Sequence, residues 1–113
     1  MEFFRPGSWR EALEIRAAHP GAVPIFGGTD VMVDLNFDRE RPEVVLDLTR
    51  VPEIQEWGEE EGRLRVGAGV TYTRIIAELG SRLQGLAMAS RTVGSPQIRN
   101  RGTVGGNLGT ASP

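Results

Sequence analysis

The chain is organised around one glycine-rich segment, Gly94-Ser95-Pro96-Gln97-Ile98-Arg99-Asn100-Arg101-Gly102-Thr103-Val104-Gly105-Gly106-Asn107-Leu108-Gly109-Thr110. Five of its 17 residues are glycine, two are arginine and none is acidic. Glycine lets the backbone turn tightly, and successive N–H groups that no side chain covers can bind an anion. The segment therefore predicts a site for a phosphate.

A second glycine pair occurs much earlier, in Ile25-Phe26-Gly27-Gly28-Thr29-Asp30. The apolar run from Ala22 to Phe26 before it predicts a buried strand, and the residues after it predict a short helix from near Thr29 or Asp30. In such an arrangement the free N–H groups of the first helical turn point toward the glycine loop. Either loop alone is more typical of an ordinary turn, but the two together favour a ligand with a diphosphate.

Other local patterns predict an α+β fold with some parallel strand pairing. Ser8 and Glu11 form a capping box for a helix over Trp9–Ala18. Two further helices are expected over Thr71–Leu79, ending at Gly80, and over Ser81–Val93. The residues predicted to face the core from these helices are Ala12, Leu13, Ala17, Leu83, Leu86, Ala87 and Ser90, with Met88 as additional core filler. Trp9 or Ile15 is expected at the border of the core face of the first helix.

Three further strand regions are expected besides the run before the first glycine pair. Phe3-Phe4 is predicted to be a short edge strand, and Val44–Leu48 is an apolar strand candidate. Residues Ile54–Trp57 and Arg63–Val66 are predicted to pair as a hairpin, with residues 58–62 as its turn. The Glu59-Glu60-Glu61 run is then interpreted as a solvated turn without a function.

Composition limits the class of protein. A chain of 113 residues with 39% hydrophobic and 25% charged residues fits one compact domain. The chain has no cysteine and one histidine, so no disulfide or metal site is expected and any metal must belong to another chain. Because it has no long apolar run and no leader pattern, we expect a soluble, cytoplasmic protein without a membrane span.

Charge is unevenly distributed along the chain. The net charge of −2 argues against a nucleic-acid-binding protein. All 13 basic residues are arginine, and no acidic residue follows Glu78. Four arginines lie beyond that point without acidic neighbours in sequence, namely Arg82, Arg91, Arg99 and Arg101. The C-terminal third is therefore expected to attract an anion, although a solvated basic face would give the same pattern.

Several catalytic chemistries find no support in the sequence. The absence of cysteine and lysine leaves no thiol nucleophile and no P-loop lysine. His19 stands beside Pro20 at the end of a predicted helix, a poor position for a catalytic base. Residues 27–30 do not have the spacing of a dinucleotide-binding Rossmann turn. We therefore predict no catalytic residue and no metal ligand, and expect non-covalent binding of an anionic ligand.

Three motifs carry a resemblance to a known family. They are Phe26-Gly27-Gly28-Thr29-Asp30, Ile98-Arg99-Asn100 and Thr103-Val104-Gly105-Gly106-Asn107, with Ala111-Ser112-Pro113 after them. In this order and spacing they resemble the FAD-binding domain of the molybdenum hydroxylases, which include xanthine dehydrogenase, carbon monoxide dehydrogenase and 4-hydroxybenzoyl-CoA reductase. The resemblance implies the N-terminal subdomain of the PCMH-type, vanillyl-alcohol-oxidase-like FAD-binding fold.

The resemblance also implies which residues hold FAD. Two loops would bind the diphosphate, and Val93 would lie near the adenine or its ribose. The implied cofactor-binding residues are Ile25, Phe26, Gly27, Gly28, Thr29, Asp30, Val31, Val93, Thr103, Gly106, Asn107 and Thr110. Arg99 and Asn100 would brace the second loop, while Arg99 and Arg101 are equally well explained as surface or packing arginines.

The family pattern further implies a larger assembly. A large molybdopterin subunit and a small iron–sulfur subunit would be partners, with electrons passing through FAD to an acceptor such as NAD or a quinone. Residues 1–113 would be one subdomain, without the second subdomain and the C-terminal domain, so exposed apolar surface favours self-association. Two alternatives stay open: a non-catalytic nucleotide- or anion-binding module, and a structural remnant that binds nothing.

Overall fold

A computed structural model describes residues 1–27 and 42–110 of the chain. These residues form two small sheets, five α-helices and one 3₁₀ helix. In chain order the elements are β1 (Glu2–Phe4), α1 (Trp9–Ala18), β2 (Val23–Ile25), β3 (Val44–Asp47), the 3₁₀ helix (Pro52–Ile54), β4 (Trp57–Glu60), β5 (Arg63–Val66), α2 (Tyr72–Leu79), α3 (Gln84–Arg91), α4 (Pro96–Arg99) and α5 (Val104–Thr110).

The first sheet is parallel, which confirms the predicted mixture of helices and strands with some parallel pairing. Its strand order is β1-β3-β2, so β3 is central and β1 is an edge strand as expected. The prediction of a buried strand at β2 is wrong in one respect, because Pro24 is exposed on the other edge. Proline lacks the N–H that a central strand would need, so an edge position suits it.

Helix α1 has the predicted bounds but a narrower core face. The Ser8 hydroxyl accepts from the Glu11 N–H at 3.1 Å, while the Glu11 carboxylate accepts from the Gly7 N–H rather than that of Ser8. Ala12 is buried, but Leu13 is 50% exposed. Ala17 is also exposed, so its predicted core position and that of Leu13 are wrong. The helix packs through Ala12 and Ile15 instead.

The predicted hairpin is confirmed with its second arm at Arg63–Val66, but its first arm lies later in the chain than predicted. The first arm was predicted at Ile54–Trp57, but Ile54 belongs to the 3₁₀ helix. The observed first arm is therefore β4, which begins at Trp57. The connection is a two-residue turn at Glu61 and Gly62, with φ angles of 52° and 75°. Positive φ at both positions is typical of a tight type I′ turn, which glycine favours at the second position. The five-residue turn predicted over residues 58–62 is therefore wrong.

The glutamate run contributes ion pairs rather than a solvated turn alone. Glu59 and Glu60 lie in β4, where Glu59 pairs with Arg82 at 2.5 Å and Glu60 pairs with Arg65 at 3.0 Å. The charge of Arg82 is therefore paired with an acidic residue, so the expectation that this arginine is uncompensated is wrong. Each side chain of these pairs is at least 45% exposed. Pairs this exposed contribute about 0–1 kcal/mol, so they orient the hairpin more than they stabilise it.

Helices α2 and α3 form a second packing unit. Thr71 caps α2 and Gly80 ends it, as predicted. Helix α3 is shorter than the expected Ser81–Val93, but its predicted face is confirmed, because Ala87 and Ser90 are buried and Leu83 and Leu86 pack against the core. Met88 is 66% exposed, so its predicted core position is wrong.

Two hydrophobic clusters support the fold. The first lies around the parallel sheet, with Ala12, Ala22, Leu46, Leu48 and Val51 buried in it. The second is formed by the buried face of α2, with Tyr72, Ile75 and Leu79, and by Val70 just before this helix. Among the described residues, no helix is long and apolar enough to cross a membrane.

Asp47 is a buried acidic residue at the carboxyl end of β3. Its carboxylate accepts from the Thr49 N–H at 2.9 Å, the Thr49 hydroxyl at 2.6 Å and Arg5 Nε at 3.0 Å. Burial raises the pKa of Asp47, but the hydrogen bonds from Thr49 and Arg5 outweigh burial and lower the pKa below its ordinary value of 3.8. The folded state therefore favours the ionised carboxylate.

Replacing this carboxylate by an amide should weaken the fold in a pH-dependent way. Because the folded pKa is lowered, its stabilisation is present above the unfolded pKa and is lost as pH falls through the folded pKa. Asp47→Asn should lower the free energy of unfolding by about 1–3 kcal/mol at neutral pH. Urea denaturation at neutral and at acidic pH measures this difference, which should shrink in acid.

The matched control for this test is Glu14→Gln, which alters an exposed ion pair with Arg10. It should change stability by less than about 0.5 kcal/mol at either pH. A deficit in Asp47→Asn that stayed constant with pH would contradict the assignment of the stabilisation to the ionised carboxylate.

Candidate functional site

The two glycine loops meet at Gly27, whose backbone lies directly against Arg101 and Gly102. Arg101 Nε donates to the Gly27 carbonyl at 3.1 Å, across 74 residues of sequence. A Cβ atom on Gly27 would overlap the Arg101 carbonyl oxygen and lie 2.7 Å from its carbonyl carbon. Only glycine therefore permits this approach between the segments.

A cavity of 370 Å³ lies where these loops meet. Residues just beyond the carboxyl ends of β2 and β3 form part of its wall. Its volume is within the range of small-molecule sites, about 300–1,000 Å³. The described lining contains three threonine hydroxyls, two side-chain amides and one guanidinium, but no carboxylate. Its lining residues are Phe26, Gly27, Thr49, Gln55, Gly69, Thr71, Asn100, Arg101 and Thr103. This chemistry suits an anionic ligand.

The start of α2 anchors the second glycine-rich segment beside the cavity. The Tyr72 N–H donates to the Gly102 carbonyl at 3.0 Å, and Thr71 forms an isolated β-bridge with Thr103. The next residue also contributes, because the Thr73 hydroxyl donates to the Asn100 side-chain oxygen at 2.6 Å. The second segment is therefore fixed by the same helix start that contributes Thr71 to the cavity wall.

Much of the glycine-rich segment is helical rather than an open loop. Ser95 caps α4, and the Thr103 hydroxyl accepts from the Gly106 N–H at 2.8 Å in the first turn of α5. Several N–H groups expected to face a ligand are therefore used inside the protein. Thr103 is 3% exposed, which identifies it as a structural cap as well as a wall residue.

The glycines of α5 have different environments. A Cβ atom on Gly105 would lie 2.6 Å from the Ala68 Cβ and the Ala68 carbonyl oxygen. A Cβ atom on Gly106 would approach only the Thr103 hydroxyl, at 3.0 Å, and one on Gly109 would meet nothing within 4 Å. Gly105 is thus required for packing against Ala68, whereas a side chain at Gly106 would press only on the Thr103 hydroxyl.

Two further predicted site residues of α5 have partners within the protein. Asn107 Nδ2 donates to the Tyr72 hydroxyl at 2.7 Å. Burial raises the pKa of Tyr72, and the hydrogen bond from Asn107 opposes that rise, so Tyr72 stays a neutral phenol. The Thr110 hydroxyl donates to the Gly106 carbonyl at 3.2 Å. The Asn107 amide nitrogen is therefore oriented by Tyr72.

The structure brings some of the predicted site residues together. Phe26, Gly27 and Thr103 line the cavity. Ile25 and Val93 do not line it: the Ile25 carbonyl accepts from the Leu48 N–H, and Val93 packs against the second hydrophobic cluster. Gly106, Asn107 and Thr110 follow Thr103 in α5 but are not part of the cavity wall. Gly28, Thr29, Asp30 and Val31, with the helix predicted after them, lie outside the described residues.

Sequence reasoning missed four wall residues, namely Thr49, Gln55, Gly69 and Thr71. Thr49 follows β3 and Phe26 follows β2, and parallel strands end at the same edge of a sheet. That relation was an available signal for Thr49. No pattern pointed to Gln55, whose side-chain nitrogen donates to the carbonyls of Thr49 and Val51.

The arginines around the second segment have distinct roles. Arg99 donates to the carbonyls of Arg91 and Val93, each at 3.0 Å, which agrees with its expected bracing role. Asn100, predicted to brace the loop, also lines the cavity, as does Arg101. Arg101 therefore both links the second segment to Gly27 and lies on the cavity wall.

The fold and site define a mixed helix-and-sheet domain with a polar, anion-compatible cavity between two glycine loops. All residues from 1 to 113 match the family described as the FAD binding domain in molybdopterin dehydrogenase. The chain therefore belongs to this family, and FAD is the cofactor of the domain. This membership does not favour a structural remnant or a module that has lost FAD.

Individual relatives agree with the family match. The chain is 39% identical over 116 residues to the nicotinate dehydrogenase FAD-subunit of Eubacterium barkeri, with 99% of this chain and 39% of the relative covered. It is also 39% identical over 116 residues to the caffeine dehydrogenase subunit beta of Pseudomonas sp. strain CBB1, with coverages of 100% and 39%. The chain thus spans about two-fifths of the length of these curated relatives.

A solved structure shares the fold. Carbon monoxide dehydrogenase from Hydrogenophaga pseudoflava matches with a TM-score of 0.89 and 30% identity over 96% of this chain and 39% of that chain. The similarity covers nearly the whole chain, so the parallel sheet, hairpin and helices belong to one known arrangement.

Proposed function

We propose that this chain binds the diphosphate of FAD between the Gly27 loop and the segment that begins at Thr103, as part of the FAD subunit of a molybdopterin-dependent dehydrogenase. The observation that carries the proposal is the cavity between these loops, whose described lining has hydroxyls, amides and a guanidinium and no carboxylate. A diphosphate needs several donors and at least one opposing charge, and this wall supplies the Thr71 and Thr103 hydroxyls, the Asn100 amide and the Arg101 guanidinium.

The described residues fit the cofactor in two respects. Gly27 permits the close approach of the loops, and Gly106 leaves open the space that a side chain would fill. Thr103 would contribute through its wall position, and Asn107 through the second N–H of its side-chain amide, since the first donates to Tyr72. The other proposed FAD-binding residues are Ile25, Phe26, Gly28, Thr29, Asp30, Val31, Val93 and Thr110.

FAD, when bound, supplies the redox chemistry, since its isoalloxazine ring accepts and donates electrons. The residues of this chain would bind and orient the cofactor and adjust its electrostatic surroundings. We assign no catalytic acid or base. Glycine and threonine, which dominate the predicted loops, do not titrate near neutral pH and suit such a holding role.

The larger assembly is also a proposal. Residues 1–113 would form the N-terminal subdomain of a PCMH-type FAD-binding fold in a cytoplasmic enzyme. A large molybdopterin subunit and a small iron–sulfur subunit would be partners, and electrons would pass from the clusters to FAD and then to an acceptor. Two relatives are an FAD-subunit and a subunit beta of their enzymes, which supports a multi-subunit arrangement.

Ligand analysis of the purified protein tests the cofactor assignment. Denaturation should release FAD, and a Gly106→Val variant should bind FAD at least about tenfold more weakly, because losing charge-assisted hydrogen bonds costs about 1.5–3 kcal/mol. The branched side chain would occupy the open space beside the Thr103 cap. Flavin absorbance gives the content, and quenching of flavin fluorescence gives the dissociation constant.

Gly109→Val is the matched control, because a Cβ atom there meets nothing within 4 Å. It introduces the same side chain into the same helix and should keep the wild-type flavin content. Release of another nucleotide, or of no ligand, from the wild-type protein would contradict FAD binding. Unchanged affinity in Gly106→Val would contradict the placement of FAD beside this turn.

A further inference from the structure

Arg101 differs from its neighbouring arginines in how its guanidinium is used. Arg82 pairs with Glu59, and Arg99 donates to main-chain carbonyls around the end of α3. Arg101 lies on the wall of the cavity and is exposed. Within residues 1–27 and 42–110, no carboxylate lies within ion-pair distance of it. It is also the one charged group in the described lining.

One of the five Arg101 N–H groups is already committed. Its Nε donates to the Gly27 carbonyl at 3.1 Å, which ties the second loop to the first. A guanidinium presents its donors in a planar fork, so the terminal nitrogens keep donors for a second partner. The cavity places Thr71 and Thr103 on the same wall, where their hydroxyls offer weaker, neutral hydrogen bonds, whereas the Thr49 hydroxyl already donates to Asp47.

We infer that Arg101 is a specificity-determining residue that joins both glycine loops to a phosphate of the ligand. Its Nε holds the Gly27 carbonyl while its terminal N–H groups donate to the anion, so ligand binding and loop contact strengthen each other. The inference rests on the proposed function and deepens it, since it assigns the charge that selects a diphosphate. Lysine cannot replace this function fully, because its single ammonium is a point charge without the fork.

Titration of flavin-free protein with FAD tests the inference. Arg101→Gln should weaken binding about 10- to 100-fold, as expected for losing a charge-assisted hydrogen bond. Arg101→Lys should bind FAD more tightly than Arg101→Gln and less tightly than wild type. The loss in Arg101→Gln should shrink at high ionic strength, because salt screens the attraction that the wild type retains.

Arg63→Gln is the matched control, because Arg63 is an exposed arginine of β5 outside the described cavity lining. It removes the same charge and should change FAD affinity by less than about twofold. Inorganic pyrophosphate is a second probe. With FAD kept well below the dissociation constant of each protein, displacing it from Arg101→Gln should need at least about tenfold more pyrophosphate than displacing it from wild type, because pyrophosphate loses the same charge-assisted bond.

The outcomes separate this inference from the proposed function. If wild type binds no FAD, the proposed function fails, and the inference fails with it. If wild type binds FAD but Arg101→Gln matches it in affinity and salt dependence, only the role of Arg101 is overturned. Should Arg101→Gln fail to fold, Arg101→Lys decides: wild-type affinity and wild-type pyrophosphate displacement in that variant would contradict the two-partner role.

Discussion

A Gly27→Ala variant is expected to bind FAD at least about tenfold more weakly and to lose about 1–3 kcal/mol of stability, the usual range for overpacking a close contact. The added methyl group would overlap the Arg101 carbonyl oxygen, which is backbone and cannot rotate away. The two segments would have to separate. Separation would also lengthen the bond from Arg101 Nε to the Gly27 carbonyl.

Gly21→Ala is the control for this variant, because a Cβ atom on Gly21 would meet nothing within 4 Å. Both variants add one methyl group near an end of β2. They differ in whether that methyl group contacts another segment of the chain. Urea denaturation gives the stabilities, and flavin-fluorescence titration gives the affinities. Equal affinities for wild type and Gly27→Ala would show that loop contact does not control the site.

Local signals in the sequence were sufficient for elements whose determinants are close in the chain. The Ser8 cap and the bounds of α1 were predicted correctly, and so were the Thr71 cap and the buried face of α3. Caps and 3.6-residue periodicity depend on neighbours within one or two turns. The same information could not tell that Leu13 would stay exposed, because that depends on how much of α1 its neighbours cover.

The hairpin shows a competition between two local patterns. Residues near 54 carry apolar side chains that suit a strand, but Pro52 favours the start of a helical turn and the 3₁₀ helix forms. The strand then begins at Trp57, and Glu61 with Gly62 provides the tight turn. Strand register follows from turn geometry, so an error in the turn shifted the whole first arm.

The candidate site was predictable in its glycine loops and not in its walls. Gly27 and Thr103 belong to recognisable motifs, whereas Gln55 reaches the cavity only because the chain folds back beside Thr49. Gly105 and Gly106 are adjacent and look alike in the sequence, but tertiary packing gives them different environments, since only Gly105 lies against Ala68. Contacts between distant segments assign these roles, and a single sequence does not contain them explicitly.

That difference between adjacent glycines leads to a prediction about stability. Gly105→Ala should lower the free energy of unfolding by about 3 kcal/mol, at the upper end of the overpacking range. The new methyl group would lie 2.6 Å from both the Cβ and the carbonyl oxygen of Ala68 and 2.8 Å from its Cα. Helix α5 would have to move away from the Gly67–Gly69 connection, and Thr103 at its start would lose its position in the cavity wall.

Gly109→Ala separates this packing effect from helix propensity. It adds the same methyl group to the same helix, where nothing lies within 4 Å, and should stabilise the protein by up to about 1 kcal/mol because alanine favours helix. Urea denaturation of both variants measures the contrast, which would be absent if the Ala68 contact did not limit α5.

A double variant tests the cause more directly. Combining Gly105→Ala with Ala68→Gly removes the clash between the two Cβ atoms but leaves the Ala68 carbonyl oxygen 2.6 Å from the new methyl group. It should therefore recover less than half of the lost stability, since backbone cannot yield as a side chain does and glycine at residue 68 adds about 0.5–1 kcal/mol of unfolded-state entropy. Full recovery would mean that side-chain contact alone sets the requirement for glycine at residue 105.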